Sequence, residues 1–432
     1  MDKNKPDIRF NGYQDEWKEK TLGEMGKPFN GLSGKTKDDF GHGEASFITY
    51  MNVFSNPVAS PSGIDNVEID KSQNEVKKGD ILFTTSSETP EEVGMSSVWL
   101  HDRPNTYLNS FCFGLRPEIE IDPYFSAYLM RSPEVRKDFY FLAQGISRFN
   151  ISKQKAMDIK TTIPDTKEQQ KIGDFFRNLD ELIEAKEQEL EKLRQIKMAL
   201  LDGMFPSDEQ NKSNRGGYNE LISNMLHINN ELQITKSTAK SPAIRFRGFN
   251  EPWELRSFGY YGNISMCKRV MKYQTTEKGE VPFYKIGTFG HVADAYISKE
   301  LFDNLKRNYP YPQKGDILIS AAGTIGRTVE FSGKDEYFQD SNIVWLNHNN
   351  TIYNPFLKII YSIVKWNGLE GSTLKRLYNN NILNTKFYIP SFAEQKKIGD
   401  FFSEQDENIR SAQLLINKLR NIKQACMQKM FA

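Results

Sequence analysis

Cysteine is scarce: only Cys112, Cys267 and Cys426 occur in 432 residues, an odd number and far apart. That pattern argues against a disulfide framework or a zinc site and fits reduced thiols in a cytoplasm. The five histidines (His42, His101, His227, His291, His348) have no metal-ligating or catalytic spacing. Long apolar runs are missing as well. No stretch approaches the ~18 uninterrupted apolar residues of a membrane span, and the charged start MDKNKPDIRF gives no expectation of a secretory leader. Nor is there an excess of either charge, since 57 Lys and Arg oppose 56 Asp and Glu. That balance conceals a difference between segments. Residues 1–164 hold 20 basic and 24 acidic side chains, net −4, whereas residues 242–390 hold 19 and 13, net +6. A nucleic-acid face must therefore be local in the first segment and can be broader in the second. What remains is globular in character, 38% hydrophobic and 12% aromatic, with length for two or three domains.

What is present in abundance is repetition. EQQKIGDFF at 168–176 returns as EQKKIGDFF at 394–402, an offset of 226. PDIRFNGYQDEWKEKTLGE at 6–24 returns as PAIRFRGFNEPWELRSFGY at 242–260, an offset of 236, and KKGDIL (77–82) meets QKGDIL (313–318) at the same distance. EKLRQIKMALLDGMF (191–205) then meets NKLRNIKQACMQKMF (417–431) at 226 again. An offset that slips by ten residues between shared landmarks means two homologous modules with loops of different length. Two copies are too few for a solenoid.

Each module has two textures. Short β-rich runs with turn signals, such as GDILFTTSS and GDILISAAG, mix with helical patches, which gives a mixed α/β globular domain. The glycine and aspartate of each GDIL read as a turn entering a strand. The tail is charged, almost free of Gly and Pro, and periodic. Ile163-Pro164 and Ile389-Pro390 end the domains, because the residue before proline leaves the helical region. Asp165 with Glu168, and Ser391 with Glu394, read as capping boxes. Beyond them a seam alternates in steps of four and three: Leu179, Ile183, Lys186, Leu190, Leu193, Lys197, Leu200, Met204, and Gln405, Ile409, Ala412, Ile416, Leu419, Lys423, Cys426, Met430. This is coiled-coil spacing on helices of roughly 40 residues, about 60 Å long. Two related helices in one chain are expected to pack on each other antiparallel. The boundaries follow: 1–164 and 242–390 are heads, 165–205 and 391–432 spacer helices, and 206–241 a polar linker, with an extra helical turn or two over Asn219–Gln233.

Enzyme motifs do not survive inspection. DPYF (122–125) and NPFL (354–357) lack the second proline of an adenine-methyltransferase motif. GLSGKT (31–36) mimics a phosphate loop, but Phe29 stands where the pattern needs glycine. The duplicated order of a variable domain followed by an "IP…EQ-K-IG-FF…D" helix, with GDIL and a small-residue turn inside each domain, resembles the specificity subunit of type I restriction-modification systems. The resemblance covers essentially the whole chain. It departs at TTSSETPEEVG after the first GDIL, where the second copy has SAAGTIG.

That resemblance implies a non-catalytic chain without a cofactor of its own. Each head would be a target-recognition domain reading one half of a split, asymmetric site in double-stranded DNA. The helices would set the gap and dock two modification (methyltransferase) subunits, with two restriction (translocase and nuclease) subunits completing the complex in the cytoplasm, away from any membrane. S-adenosylmethionine-dependent adenine methylation and ATP- and Mg-dependent cleavage would belong to those partners. Phosphate contacts call for Lys and Arg, and base reading for Arg, Lys, Asn or Gln. The candidates in the first head are Lys35, Lys37, Arg148, Asn150, Lys153 and Lys155. Those in the second are Lys268, Arg269, Lys272, Arg327, Lys375, Arg376, Asn379 and Asn380. Glu168, Gln169 and Lys171, with Glu394, Gln395 and Lys397, are expected to dock the two copies of one partner. A modification-only complex, and a duplicated coiled-coil adaptor that binds protein and not DNA, are the competing expectations.

Overall fold

The computed structural model describes residues 5–206, 231–235, 238, 240–366 and 376–432. The helical turn expected over Asn219–Gln233 falls mostly outside these residues. Its described end, Leu232–Ile234, is instead a strand paired with Ile244–Phe246. Two compact units emerge, one of residues 1–188 with 413–432, the other of residues 189–412.

In the first unit Lys18–Thr21 pairs antiparallel with Lys160–Ile163, tying the start of the head to its end. Gly26–Asn30, Cys112–Pro117, Ile81–Thr84 and Ser96–Val98 form an antiparallel four-stranded sheet in that order. A second sheet places Phe40–Ile48 between Ile64–Val67, antiparallel, and Thr106–Leu108, parallel. The second unit repeats this plan. Glu254–Ser257 pairs with Lys386–Ile389. Asn263–Met266, Ile343–Asn347, Ile317–Ser320 and Thr328–Glu330 make the four-stranded sheet. Val281–Tyr284 lies antiparallel to Tyr296–Ile297 and parallel to Tyr337–Phe338. Each GDIL is the turn into its central strand. Gly79 and Gly315 both take φ of 91°, a region glycine enters without strain. Asp80 accepts from the Lys77 amide and Asp316 from the Gln313 amide.

The long helices are Thr166–Met204 and Phe392–Lys429. Asp165 caps the first by accepting from the amides of Lys167 and Glu168, and Ser391 caps the second by accepting from Glu394. The return half of the expected capping boxes is not made, because both glutamates are drawn elsewhere. Within the first unit the start of the first long helix runs against the end of the second: Asp180 meets Lys423, Glu187 meets Arg420, and Phe176 meets Phe431. Within the second unit Lys197 meets Asp406 and Phe205 meets Phe402. Rising numbers face falling ones in both, so the pairing is antiparallel. None of the sixteen seam positions is exposed. Two of the lysines in the seam have a specific use, since Lys197–Asp406 and Lys423–Asp180 are the same pair displaced by 226. A polar contact at one seam layer fixes register at some expense of stability.

Candidate nucleic-acid and partner interfaces

Three loops meet beside the end of each central strand, and their ladder is the same in both heads. In the first head Thr85 donates to Phe111 O, Ile151 donates to Thr85 O, and Ser86 is paired with Asn150. In the second, Ala321 donates to Asn342 O, Leu377 donates to Ala321 O, and Ala322 bridges Arg376. Thus Phe111 corresponds to Asn342 and Asn150 to Arg376. One backbone frame presents different side chains.

The structure brings the two candidate segments of the first head together, because Lys153 Nζ donates to Asn30 Oδ1 at 2.5 Å, just before the loop that holds Lys35. Lys35 itself is a correction. Its Nζ lies 2.9 Å from Asp70 and its side chain is 15% exposed, so it pins its loop and is not available to a phosphate. Hydrogen bonds from the Ser72 hydroxyl and then Lys35 hold Asp70 below the usual carboxylate range. Lys37, Asn150 and Lys155 are exposed. Exposed Arg148 sits with its guanidinium 5.4 Å from the centre of the Phe111 ring.

In the second head, Arg269 and Arg376 converge on one turn. Arg269 Nε donates to Asp340 at 2.8 Å, and Arg376 Nη2 approaches Ser341 O at 3.3 Å. Ser341 holds φ of 50°, an uncommon conformation for a residue with a Cβ. Arg327 donates to Phe289 O and faces His291. Lys268 covers the Tyr309 ring at 4.8 Å. Lys272 is exposed, as are Asn379 and Asn380 in the first turn of the helix Asn379–Asn384. Lys375 lies outside the described residues. The aromatic partners Phe111 and Tyr378 were not candidates from sequence, where nothing links Phe111 to an arginine on another loop or marks the exposure of either ring.

The partner surface needs a larger correction. Glu168, Gln169, Glu394 and Gln395 are buried, at most 3% exposed. Arg9 grips Glu168 through Nε at 2.7 Å and Nη2 at 2.8 Å, and Trp17 Nε1 adds a third donor at 3.2 Å. Arg245 grips Glu394 with the same two distances. Gln169 accepts from the Asp122 amide and donates to Pro164 O, and Gln395 does so with Tyr353 and Pro390. A Cβ at Gly173 would stand 2.7 Å from Phe125 N, and one at Gly399 2.9 Å from Phe356 N. The repeated nine residues are therefore a latch fastening each long helix to its own head, by way of the arginine of each repeated IRF, with Trp17 adding a donor in the first copy only. Only Lys171 and Lys397 of the six candidates are exposed. With them, Asp174 and Glu181, and their counterparts Asp400 and Glu407, are exposed, identical between copies and on one helical face.

Among the described residues no group of three metal-ligating side chains comes together, and no helix is long and apolar enough to cross a membrane.

The profile of the type I restriction modification DNA specificity domain matches residues 14–195 and again residues 250–421. A curated relative from Haemophilus influenzae, a type I restriction enzyme specificity subunit, is 55% identical over 141 residues, which are 32% of this chain and 37% of that protein. The aligned region thus spans little more than a third of that relative. The crystal structure of the type I restriction-modification S subunit from M. genitalium superposes with a TM-score of 0.58 at 16% identity, covering 99% of each chain. A structure from a study of complex assembly and conformational transition of the type I R-M system gives 0.53 at 15% identity, covering 95% of this chain and 96% of that one. At such identities the likeness is one of fold.

Proposed function

The chain belongs to the type I restriction-modification DNA specificity family, and from that premise we propose that it is the DNA-reading subunit of such a complex, each head recognising one half of a split site. One observation carries this: two heads with the same strand order and loop ladder present Phe111 and Asn150 in one, Asn342 and Arg376 in the other. Identical scaffolds with unlike tips are what two unlike half-sites require. The paired helices set the unspecified gap. Adenine methylation with S-adenosylmethionine, and ATP- and Mg-dependent cleavage, are work for two modification and two restriction subunits in the cytoplasm. A complex that only methylates would bind the same site and leave it uncut with ATP present.

Lengthening both long helices by seven residues adds about 10 Å of antiparallel rod. Methylome sequencing is then expected to show the gap widened by about three base pairs, at ~3.4 Å each, with both half-sites unaltered. An unchanged gap refutes the ruler. Exchanging residues 1–164 for those of a different family member should change one half-site only. A protein-only adaptor would show no half-site preference, and any residual DNA binding would be weak, sequence-indifferent and lost as salt rises.

Two copies of one partner need two copies of one docking surface, and the exposed stripe Lys171, Asp174, Glu181 with Lys397, Asp400, Glu407 meets that requirement. Reversing charge with Lys171→Glu and Lys397→Glu together is expected to weaken methyltransferase capture roughly tenfold or more, about 1.4 kcal/mol. DNA-site preference of the residual complex stays intact. Capture at wild-type strength would remove the stripe from the interface.

A further inference from the structure

Among the described residues six arginines lie over an aromatic ring: Arg116, Arg136, Arg148, Arg177, Arg256 and Arg376. Three of them are held by carboxylates, Arg116 by Asp80, Arg177 by Asp174 and Arg256 by Glu254. Arg136 is half-buried and donates to the carbonyls of Glu91, Val93 and Gly94. Arg148 and Arg376 remain, one in each head, both on the loop that forms the outer rung of the shared ladder. Their rings, Phe111 and Tyr378, are 52% and 50% exposed. The guanidinium–ring distances are 5.4 and 5.7 Å, inside the ~6 Å range of a cation–π contact. Neither arginine has a carboxylate partner among the described residues, and Arg376 makes only the long 3.3 Å contact to Ser341 O.

Resting on the DNA-specificity reading above, we propose that Arg148 and Arg376 are the guanine-reading side chains of the two half-sites, each held ready on an aromatic platform. The ring backs the guanidinium and leaves its forked N–H donors free of any carboxylate among the described residues, apart from the long Arg376 Nη2 contact to Ser341 O. That fork matches guanine O6 and N7 in the major groove. Holding the side chain against the ring before DNA arrives reduces the ordering that binding would otherwise demand. A phosphate contact would need none of this, since it asks for charge and tolerates lysine in place of arginine. The two heads reach the arrangement from different positions: Arg148 lies three residues before Ile151, and Arg376 one residue before Leu377, on matching rungs. Arg148 reaches a ring on another loop and Arg376 a ring two residues along its own segment, so the two pairings are not one inherited contact.

The test uses the full chain with its methyltransferase, titrated against duplexes carrying the wild-type motif and single G·C replacements in it. Arg376→Lys is expected to bind the wild-type duplex roughly 10- to 100-fold more weakly. It should cease to distinguish one G·C pair, in the half-site of the second head only, at an unchanged salt slope because the charge is kept. Arg148→Lys should mirror this in the other half-site, and Phe111→Leu and Tyr378→Leu should give smaller losses at the same base pairs. Undisturbed reading of the opposite half-site certifies that each variant is folded. Lysine variants that retain every wild-type preference overturn the proposal. So do Arg→Ala variants that weaken all duplexes equally and lower the salt slope by about one. A wild-type complex with no split preference overturns the specificity reading as well. A split preference that both variants leave intact overturns the arginine assignment alone.

Discussion

Arg245→Ala is expected to destabilise the second unit by about 3–5 kcal/mol, the loss that follows when one member of a buried ion pair is removed. The residues are 3% and 1% exposed, and two parallel N–H donors meet the carboxylate at 2.7 and 2.8 Å. A further donor from the same guanidinium reaches Glu251 O at 2.6 Å. Alanine would leave the Glu394 carboxylate dry and without its counter-charge. For a unit of this size the corresponding fall in Tm is about 10 °C or more. Replacing both members with apolar residues of similar volume, Arg245→Met with Glu394→Leu, should restore most of the loss, because the pair's own desolvation cost disappears with it. Arg9→Ala should cost less: Arg9 is 14% exposed, and Glu168 retains the Trp17 N–H. Urea unfolding of the three variants checks the order. A single variant as stable as wild type would mean that the latch is not what fastens the helix.

The second large effect concerns the far ends of the long helices. Phe431 stacks on Phe176 at 5.6 Å and lies 5.8 Å from Phe125, inside the core of the first unit. Phe205 stands edge-on to Trp253 at 5.6 Å and near Phe356, inside the core of the second. Truncating either to alanine is expected to cost about 3–5 kcal/mol. The location of the damage is the stronger prediction. By sequence Phe431 ends the second repeat, yet Phe431→Ala should speed hydrogen exchange through residues 1–188, and Phe205→Ala through residues 189–412. Exchange that rises in the repeat to which each phenylalanine belongs by sequence would contradict the observed packing.

Much of this architecture was legible in the residues. The duplicated order, the Ile-Pro junctions and the four-three spacing led to two α/β heads and antiparallel helices, because burial and backbone sterics leave periodic marks in sequence. The same marks misled at Glu168 and Gln169. Polar residues repeated in both copies suggested an outer surface, whereas their repetition records a buried contact with Arg9 and Asp122. The clue was present, since IRF and EQ recur together, but which charge meets which is settled only in three dimensions. Lys35 failed for a related reason: its partner Asp70 is 35 residues away, beyond any local pattern. The arginine platforms were half visible. Arg148 and Arg376 stood out as basic loop residues, while Phe111 and Tyr378 look in sequence like ordinary core aromatics.

The exchange of helix ends also governs how the protein is made. The first head leaves the ribosome before the second, yet the aromatic socket around Phe125 and Phe176 is completed by Met430 and Phe431. Synthesis of the intervening segment, residues 189–412, takes about 10–45 s at ~5–20 residues per second. For that interval the nascent head carries an open apolar cleft, so chaperone engagement should fall on the first head and end only once residues 430–431 have emerged.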